Sequence, residues 1–299
     1  LYTAVNPPDP DLDFAVGLSG LTINIGSHDT LRRLSERDYC GRICLRINTG
    51  SGAGHHKYVS TGSDAKFGFS PDQALDLLSS HSSHDFDIVG IHAHAGSGIS
   101  PQEMDVHQSL CKTLGDISRS SPINLEFIDV GGGFGVPDRP EDLPLDLFKV
   151  SLEIQKSLGK ISAKLVLEPG RYIVADAGIL LTKINTIKNL DSYTMVGVDA
   201  GMHTLIRPAL YGSYHDIQNI SSTKTDPSLP NTIVTGPICE SADILGVNIE
   251  LEASAPDDIL AIGNVGAYGE AMESQYNSFP RSATVAIDRD NIGLIRKRE

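Results

Sequence analysis

The sequence has no apolar stretch long enough to cross a bilayer as a helix, no signal-peptide pattern at its opening and no internal repeat. Cysteine is scarce. Cys40, Cys44, Cys111 and Cys239 are the only four in 299 residues. They have neither the density of a disulfide scaffold nor the paired spacing of a zinc site, so a reduced, cytoplasmic protein with no metal centre is expected. Positive charge is also short: 24 Lys and Arg against 38 Asp and Glu give a formal net charge of −14. That balance argues against nucleic acid, whose phosphates would be repelled. Nucleotide signatures are missing too, since the glycine-rich run carries neither a P-loop lysine nor the Rossmann spacing.

What is present is a series of short apolar runs, each closed by a polar or glycine-rich cap. The clearest are Ile88 to Ser97, Leu125 to Gly133 and Val166 to Arg171, and the marks Gly90, Val130 and Leu167 stand forty and then thirty-seven residues apart. Such a step fits one strand, one helix and two loops, and glycines, His and Glu at successive strand ends describe the mouth of a β/α barrel. Upstream, Thr22 to Ile25 and Ile43 to Asn48 predict strands. A Ser27/Asp29 cap predicts a helix over 29–34, and Ser70 followed by Pro71 predicts another. Amphipathic helices are expected within 99–118 and 145–158. Beyond Arg171 the segments Ile179 to Ile187, Tyr193 to Val198, Thr232 to Thr235 and Thr284 to Ile287 are β-rich and turn-bounded. The expected organisation is therefore a partial β/α barrel over 1–170 and a mostly antiparallel β-rich domain over 171–299. About five barrel strands can be counted where closure needs eight.

Several positions could carry chemistry. Gly131-Gly132-Gly133-Phe134-Gly135 lets backbone amides approach a phosphate without Cβ clashes, with a following helix expected to favour the anion; a tight turn without ligand is the other reading. His92 and His94, two apart on a strand, should share one face, and His94 leads into the opened strand end Ala95-Gly96-Ser97. Glu168, before Pro169 and Gly170, is expected to be a buried carboxylate that needs a partner, either Arg171 or a ligand's protonated ring nitrogen. Arg207 offers a fork suited to a carboxylate, or lies on the surface. Cys239 is either a small buried residue or a proton donor, with Glu240 able to hold a cation. Gly266-Ala267-Tyr268 presents a phenol.

Taken in order, eight segments resemble the fold-type III decarboxylases that use pyridoxal phosphate, within them the diaminopimelate decarboxylases. They are 56–62, 65–69, His92 to Gly98, Asp129 to Gly135, Glu168 to Arg171, Arg207 to Tyr211, Gly236 to Asp243 and Gly266 to Tyr268. The resemblance implies a (β/α)8-type cofactor-binding barrel, incomplete in this chain, followed by a β domain. It implies that His94 stacks on the cofactor ring, that Ser97 and Gly131 to Gly133 bind its phosphate, and that Glu168 pairs with its pyridine nitrogen. Gly170, Arg171 and Tyr268 would complete that site. Arg171, Arg207, Tyr211, Glu240 and Tyr268 would hold the far end of an amino-acid substrate. Cys239 would protonate the α-carbon after carbon dioxide leaves, and Cys239 and Glu240 would reach the site of a partner subunit in a homodimer.

The implied activity is decarboxylation of meso-diaminopimelate to L-lysine. Decarboxylation of another basic amino acid (D-ornithine, D-lysine) or a carboxylated polyamine is an alternative, and a non-catalytic homologue is a second. The family's Schiff-base lysine lies in a Tyr-Ala-Val-Lys-Ala-Asn-like motif. Tyr2-Thr3-Ala4-Val5-Asn6 has no lysine, and Lys57 and Lys66 lack the context. An amino-terminal part of the barrel carrying that lysine is therefore expected to be absent from this chain. Ala95, Gly98 and Ala242 also depart from the closest relatives' usual residues.

Overall fold

A computed structural model describes residues 1–54, 66, 68–222 and 229–299. Lys57, the segment 56–62 and part of 65–69 lie outside the described residues. The chain folds as two compact units, one of residues 1–136 with 143–170 and one of 137–142 with 171–299.

The first unit is built from strands β1 (Tyr2–Thr3), β2 (Thr22–Ile25), β3 (Arg42–Arg46), β4 (Ala53–Gly54), β5 (Asp87–His92), β6 (Gly96–Ser97), β7 (Phe127–Asp129) and β8 (Lys164–Val166). Helices α1 (Asp9–Val16), α2 (His28–Ser35), α3 (Pro71–Ser79), α4 (Met104–Ser120) and α5 (Leu147–Leu158) alternate with them. Six strands form one sheet in the order β1-β2-β3-β5-β7-β8, every pair parallel. The sheet is an arc of a β/α barrel, as the spacing of the apolar runs predicts, with one more strand than was counted because Tyr2–Thr3 pairs beside β2.

Parallel strands covered by helices are buried on both faces and so read as continuous apolar runs rather than alternating ones. Ile43, Cys44 and Leu45 of β3 and Ile88, Val89 and Ile91 of β5 are accordingly all buried. The helices close over them with one apolar stripe each, such as Leu110, Leu114 and Ile117 of α4. Helix starts are set by local chemistry. Ser27 accepts the Thr30 amide at the start of α2, and Ser70 forms a capping box with Gln73 ahead of Pro71 in α3.

In the second unit, α6 (Gly170–Val174, entered from the first) and α7 (Arg207–Tyr211) accompany a second sheet. Its strands are β9 (Leu180–Asn189), β10 (Thr194–Val198), β11 (Ile217–Asn219), β12 (Leu229–Thr235), β13 (Ile244–Leu251) and β14 (Ile259–Ile262), in the order β11-β14-β9-β10-β12-β13. All neighbours are antiparallel except β10 and β12, which run parallel. Ile184, Val196, Val198, Val234, Leu245 and Leu260 form its core. A separate hairpin, β15 (Thr284–Asp288) with β16 (Asn291–Arg296), ends the chain. No helix among the described residues is long and apolar enough to cross a membrane.

Candidate active site

The parallel register places His92, Asp129 and Val166 side by side at the carboxyl ends of β5, β7 and β8. Backbone bonds continue the alignment past the strands: Ala93 donates to the Asp129 carbonyl at 3.0 Å and Glu168 to the Gly131 carbonyl at 2.8 Å. Three segments separated by dozens of residues thus meet at one end of the sheet, where β/α barrels carry their chemistry.

The glycines follow from that convergence. Gly131 (φ +67°) and Gly133 (φ +89°) are in the left-handed region. A Cβ on Gly131 would stand 2.7 Å from both the Ala93 carbonyl and His94 Nδ1, and one on Gly132 would overlap the Glu168 carbonyl. The run is therefore required for close packing of three strand ends. Ile99 donates to the Gly133 carbonyl and receives the Gly135 amide, at 2.8 and 3.0 Å, so Gly96–Ser97 is drawn alongside the run. The helix expected directly after it is not there. Pro137, Pro140 and Pro144 interrupt the segment and α5 begins only at Leu147, so no helix dipole reaches the glycines.

His92 is buried, 1% exposed, and its Nδ1 lies 2.8 Å from Asn24 Nδ2. The amide donates there, which leaves the ring proton on Nε2. That nitrogen faces Glu168 Oε2 at 3.3 Å, a long contact in which the N–H is poorly aligned for a full hydrogen bond. His92 beside it holds the Glu168 carboxyl below the usual range, against a smaller opposing effect of burial. Asp129 accepts the Gly131 amide at 2.9 Å. Burial, and then the neighbouring Glu168 charge, push its carboxyl up. One donor atom from each of His92, Asp129 and Glu168 lies within 4.8 Å of the others. Of the two carboxyls, Glu168 is the one kept ionised. It is 36% exposed, not buried as its sequence context suggested, and so is open to a ligand.

His94 lies beyond the end of β5, so it does not share a strand face with His92 in the expected way. Its Nδ1 accepts the Gly132 amide at 3.2 Å, and burial lowers its pKa to about 4. A neutral ring, an ionised carboxylate and a glycine-lined backbone therefore share one strand-end cluster. These groups fit a flat nitrogen heterocycle whose protonated nitrogen meets Glu168 and whose anionic end approaches the glycines. Ser97, in a short parallel pairing with Gly54, follows Gly96, whose carbonyl packs against Gly133 of the run.

In the second unit, Arg171 is 9% exposed and its guanidinium carbon sits 5.0 Å from the centre of the Tyr268 ring. Tyr268 itself has φ +62°. Arg207, at the start of α7, is buried at 1% exposure rather than on the surface. Burial, and then Arg171, lower its pKa to about 10, so it stays charged at neutral pH. Tyr211 ends the same helix. Cys239 is exposed, not buried, and receives Asn277 Nδ2 at 3.3 Å, while Glu240 accepts the Tyr276 hydroxyl. Asn24, Asp129, His215, Tyr276 and Asn277 were not singled out from sequence. Asp129 could have been, because it ends an apolar run directly before the glycines. The others act through partners distant in the chain.

The model of the pyridoxal-binding domain of pyridoxal-dependent decarboxylases matches residues 9–175. A diaminopimelate decarboxylase of Methanothermobacter thermautotrophicus is 43% identical over 314 residues, spanning 100% of this chain and 72% of the relative. One from Aquifex aeolicus is 34% identical over 311 residues, with 100% and 72% covered. The crystal structure of diaminopimelate decarboxylase from Helicobacter pylori complexed with L-lysine superposes with a TM-score of 0.85 at 34% identity, covering 93% of this chain and 71% of that one.

Proposed function

Because the chain belongs to the pyridoxal-dependent decarboxylase family, we propose that it removes carbon dioxide from one end of meso-diaminopimelate and releases L-lysine, with pyridoxal phosphate as cofactor. The observation that carries this reading is the state of Glu168: a half-exposed carboxylate, held ionised by His92, in one strand-end cluster with a neutral His94 and the glycine run. When bound, the cofactor supplies a conjugated ring that accepts the electron pair left by the departing carbon dioxide, and it does so best with its nitrogen protonated.

The chain's own groups divide the remaining work. Glu168 holds a proton on the ring nitrogen by offering it a fixed negative partner. His94, uncharged above a pH of about 4, lies against the ring without competing for that charge. Gly131, Gly132, Gly133 and Ser97 hold the phosphate, with Gly170, Arg171 and Tyr268 closing the cofactor site. Arg207, with Arg171, Tyr211 and Tyr268, grips the carboxylate at the substrate's unreacting end, and Glu240 takes the ammonium beside it. Cys239 delivers a proton to the carbon that has lost its carboxylate. A distal amino-acid head needs one positive and one negative contact, which Arg207 and Glu240 supply. A diamine precursor would need only the negative one.

Cys239 and Glu240 are exposed on one loop and bonded to Asn277 and Tyr276, which supports their reaching a partner's site in a homodimer. Four free cysteines support a cytoplasmic setting. The test is product analysis with pyridoxal phosphate present. Equimolar carbon dioxide and L-lysine from meso-diaminopimelate are expected. Turnover of D-ornithine or a carboxylated polyamine with none of meso-diaminopimelate would reject the substrate.

A further inference from the structure

Arg207 is a buried cation with neutral partners. Its Nη2 donates to Ser213 Oγ at 3.3 Å, and its Nη1 lies 3.1 Å from His215 Nε2. The Nε atom is buried without a hydrogen-bond partner. Among the described residues no carboxylate lies within ion-pair distance of this guanidinium. Arg171 repels it, and Asp138 attracts it from beyond ion-pair distance.

His215, itself 1% exposed, is fixed in one protonation state by its second neighbour. Its Nδ1 lies 2.9 Å from the Gly263 carbonyl oxygen, which can only accept. The ring proton is therefore on Nδ1, and Nε2 must be the acceptor for Arg207. Burial, reinforced by the two arginines, lowers the His215 pKa to about 4, so the ring is neutral at physiological pH. A carboxylate at this position would orient the guanidinium equally well but neutralise it. An imidazole orients it and leaves its charge uncompensated, a costly arrangement in a buried place unless a ligand supplies the anion.

We propose that His215 is a positioning residue for substrate selection: it aims the Arg207 fork while leaving its charge unmet, so that the counter-ion is the carboxylate at the unreacting end of the substrate. The inference rests on the assignment of Arg207 to that carboxylate, and it extends the substrate-holding groups to a residue outside the motif 207–211.

Equilibrium binding separates this role from a merely structural one. L-lysine retains the carboxylate in question, whereas pentane-1,5-diamine has the same chain and two amines but no carboxylate. Calorimetric titration of both into the cofactor-loaded protein should give a clear preference for L-lysine. His215→Glu, which builds the counter-ion into the protein, should weaken L-lysine binding by about tenfold to a hundredfold and leave the diamine unweakened. His215→Gln, a neutral acceptor, should keep the preference within about threefold. If His215→Glu does not fold, His215→Phe serves instead, with an expected loss of about tenfold for L-lysine alone. An unchanged preference in the Glu or Phe variant overturns the proposal, as do equal losses for both ligands. A wild-type protein with no preference would overturn the assignment of Arg207 itself, and His215's role with it.

Discussion

At the scale of residues, the site is an exercise in placing charge where a ligand needs it. His92 and Asn24 spend a buried imidazole and a buried amide on holding one carboxylate ionised, while the deeper Asp129 is pushed toward its neutral form. Glu168→Gln keeps the shape and removes the charge, so turnover should fall by about a hundredfold or more with cofactor affinity changed far less, as steady-state kinetics and a cofactor titration would register. Cys239→Ala should lower turnover by about a hundredfold to ten-thousandfold with cofactor binding intact, because its part is proton delivery. Loss of both together would mark Cys239 as structural.

The candidate positions were legible in the sequence because the family's motifs are local. His94, Glu168, the glycine run, Arg207 and Cys239 each stand in a short recognisable context. Asn24 was not legible, since its partner His92 is 68 residues away and only strand register brings them together. His215 escaped for a related reason. Its meaning lies in the Gly263 carbonyl on its far side, and no pattern in the chain announces that contact.

At the scale of elements, the parallel strands and their helices follow from apolar runs and caps that the sequence displays openly. Ser70→Ala should cost about 1 kcal/mol by removing half of a reciprocal cap, measurable as a lowered urea midpoint. The glycine run is a different matter. Its composition suggested a phosphate cradle followed by a helix, and the helix is absent because three prolines occupy its place. Packing against the Glu168 backbone already explains why residue 132 has no side chain. Gly132→Ala should therefore cost about 1 to 3 kcal/mol of stability. It should also weaken pyridoxal phosphate binding, because Glu168 must move to admit the methyl group. A stable variant with normal cofactor affinity would contradict the packing described here.

At the scale of the whole chain, two units with separate cores are linked by three crossings of the chain: residues 137–142 leave the first unit for the second, the chain returns at 143, and it crosses again after residue 170. A change from βα alternation to β-rich segments near residue 170 was visible in the sequence. The short excursion was not, because a six-residue segment carries no periodicity. Acid sensitivity is expected from buried neutral histidines. Burial alone lowers His107 from 6.5 to about 4. Between those pH values the unfolded chain binds a proton there that the folded chain does not, so stability falls as pH drops through that window. His107→Phe should flatten the dependence by roughly 1 kcal/mol per pH unit, seen by comparing urea midpoints at neutral and mildly acidic pH.

One cluster is central to the proposed activity: His94, the glycine run and Glu168 would together receive a single pyridoxal phosphate. Titration of that cofactor followed by its induced circular dichroism tests this directly. The prediction is a saturable signal at one cofactor per chain, weakened by His94→Ala and altered in its pH dependence by Glu168→Gln, since the ring nitrogen would lose its fixed partner. A saturable signal indifferent to both substitutions would place the cofactor elsewhere and contradict the account.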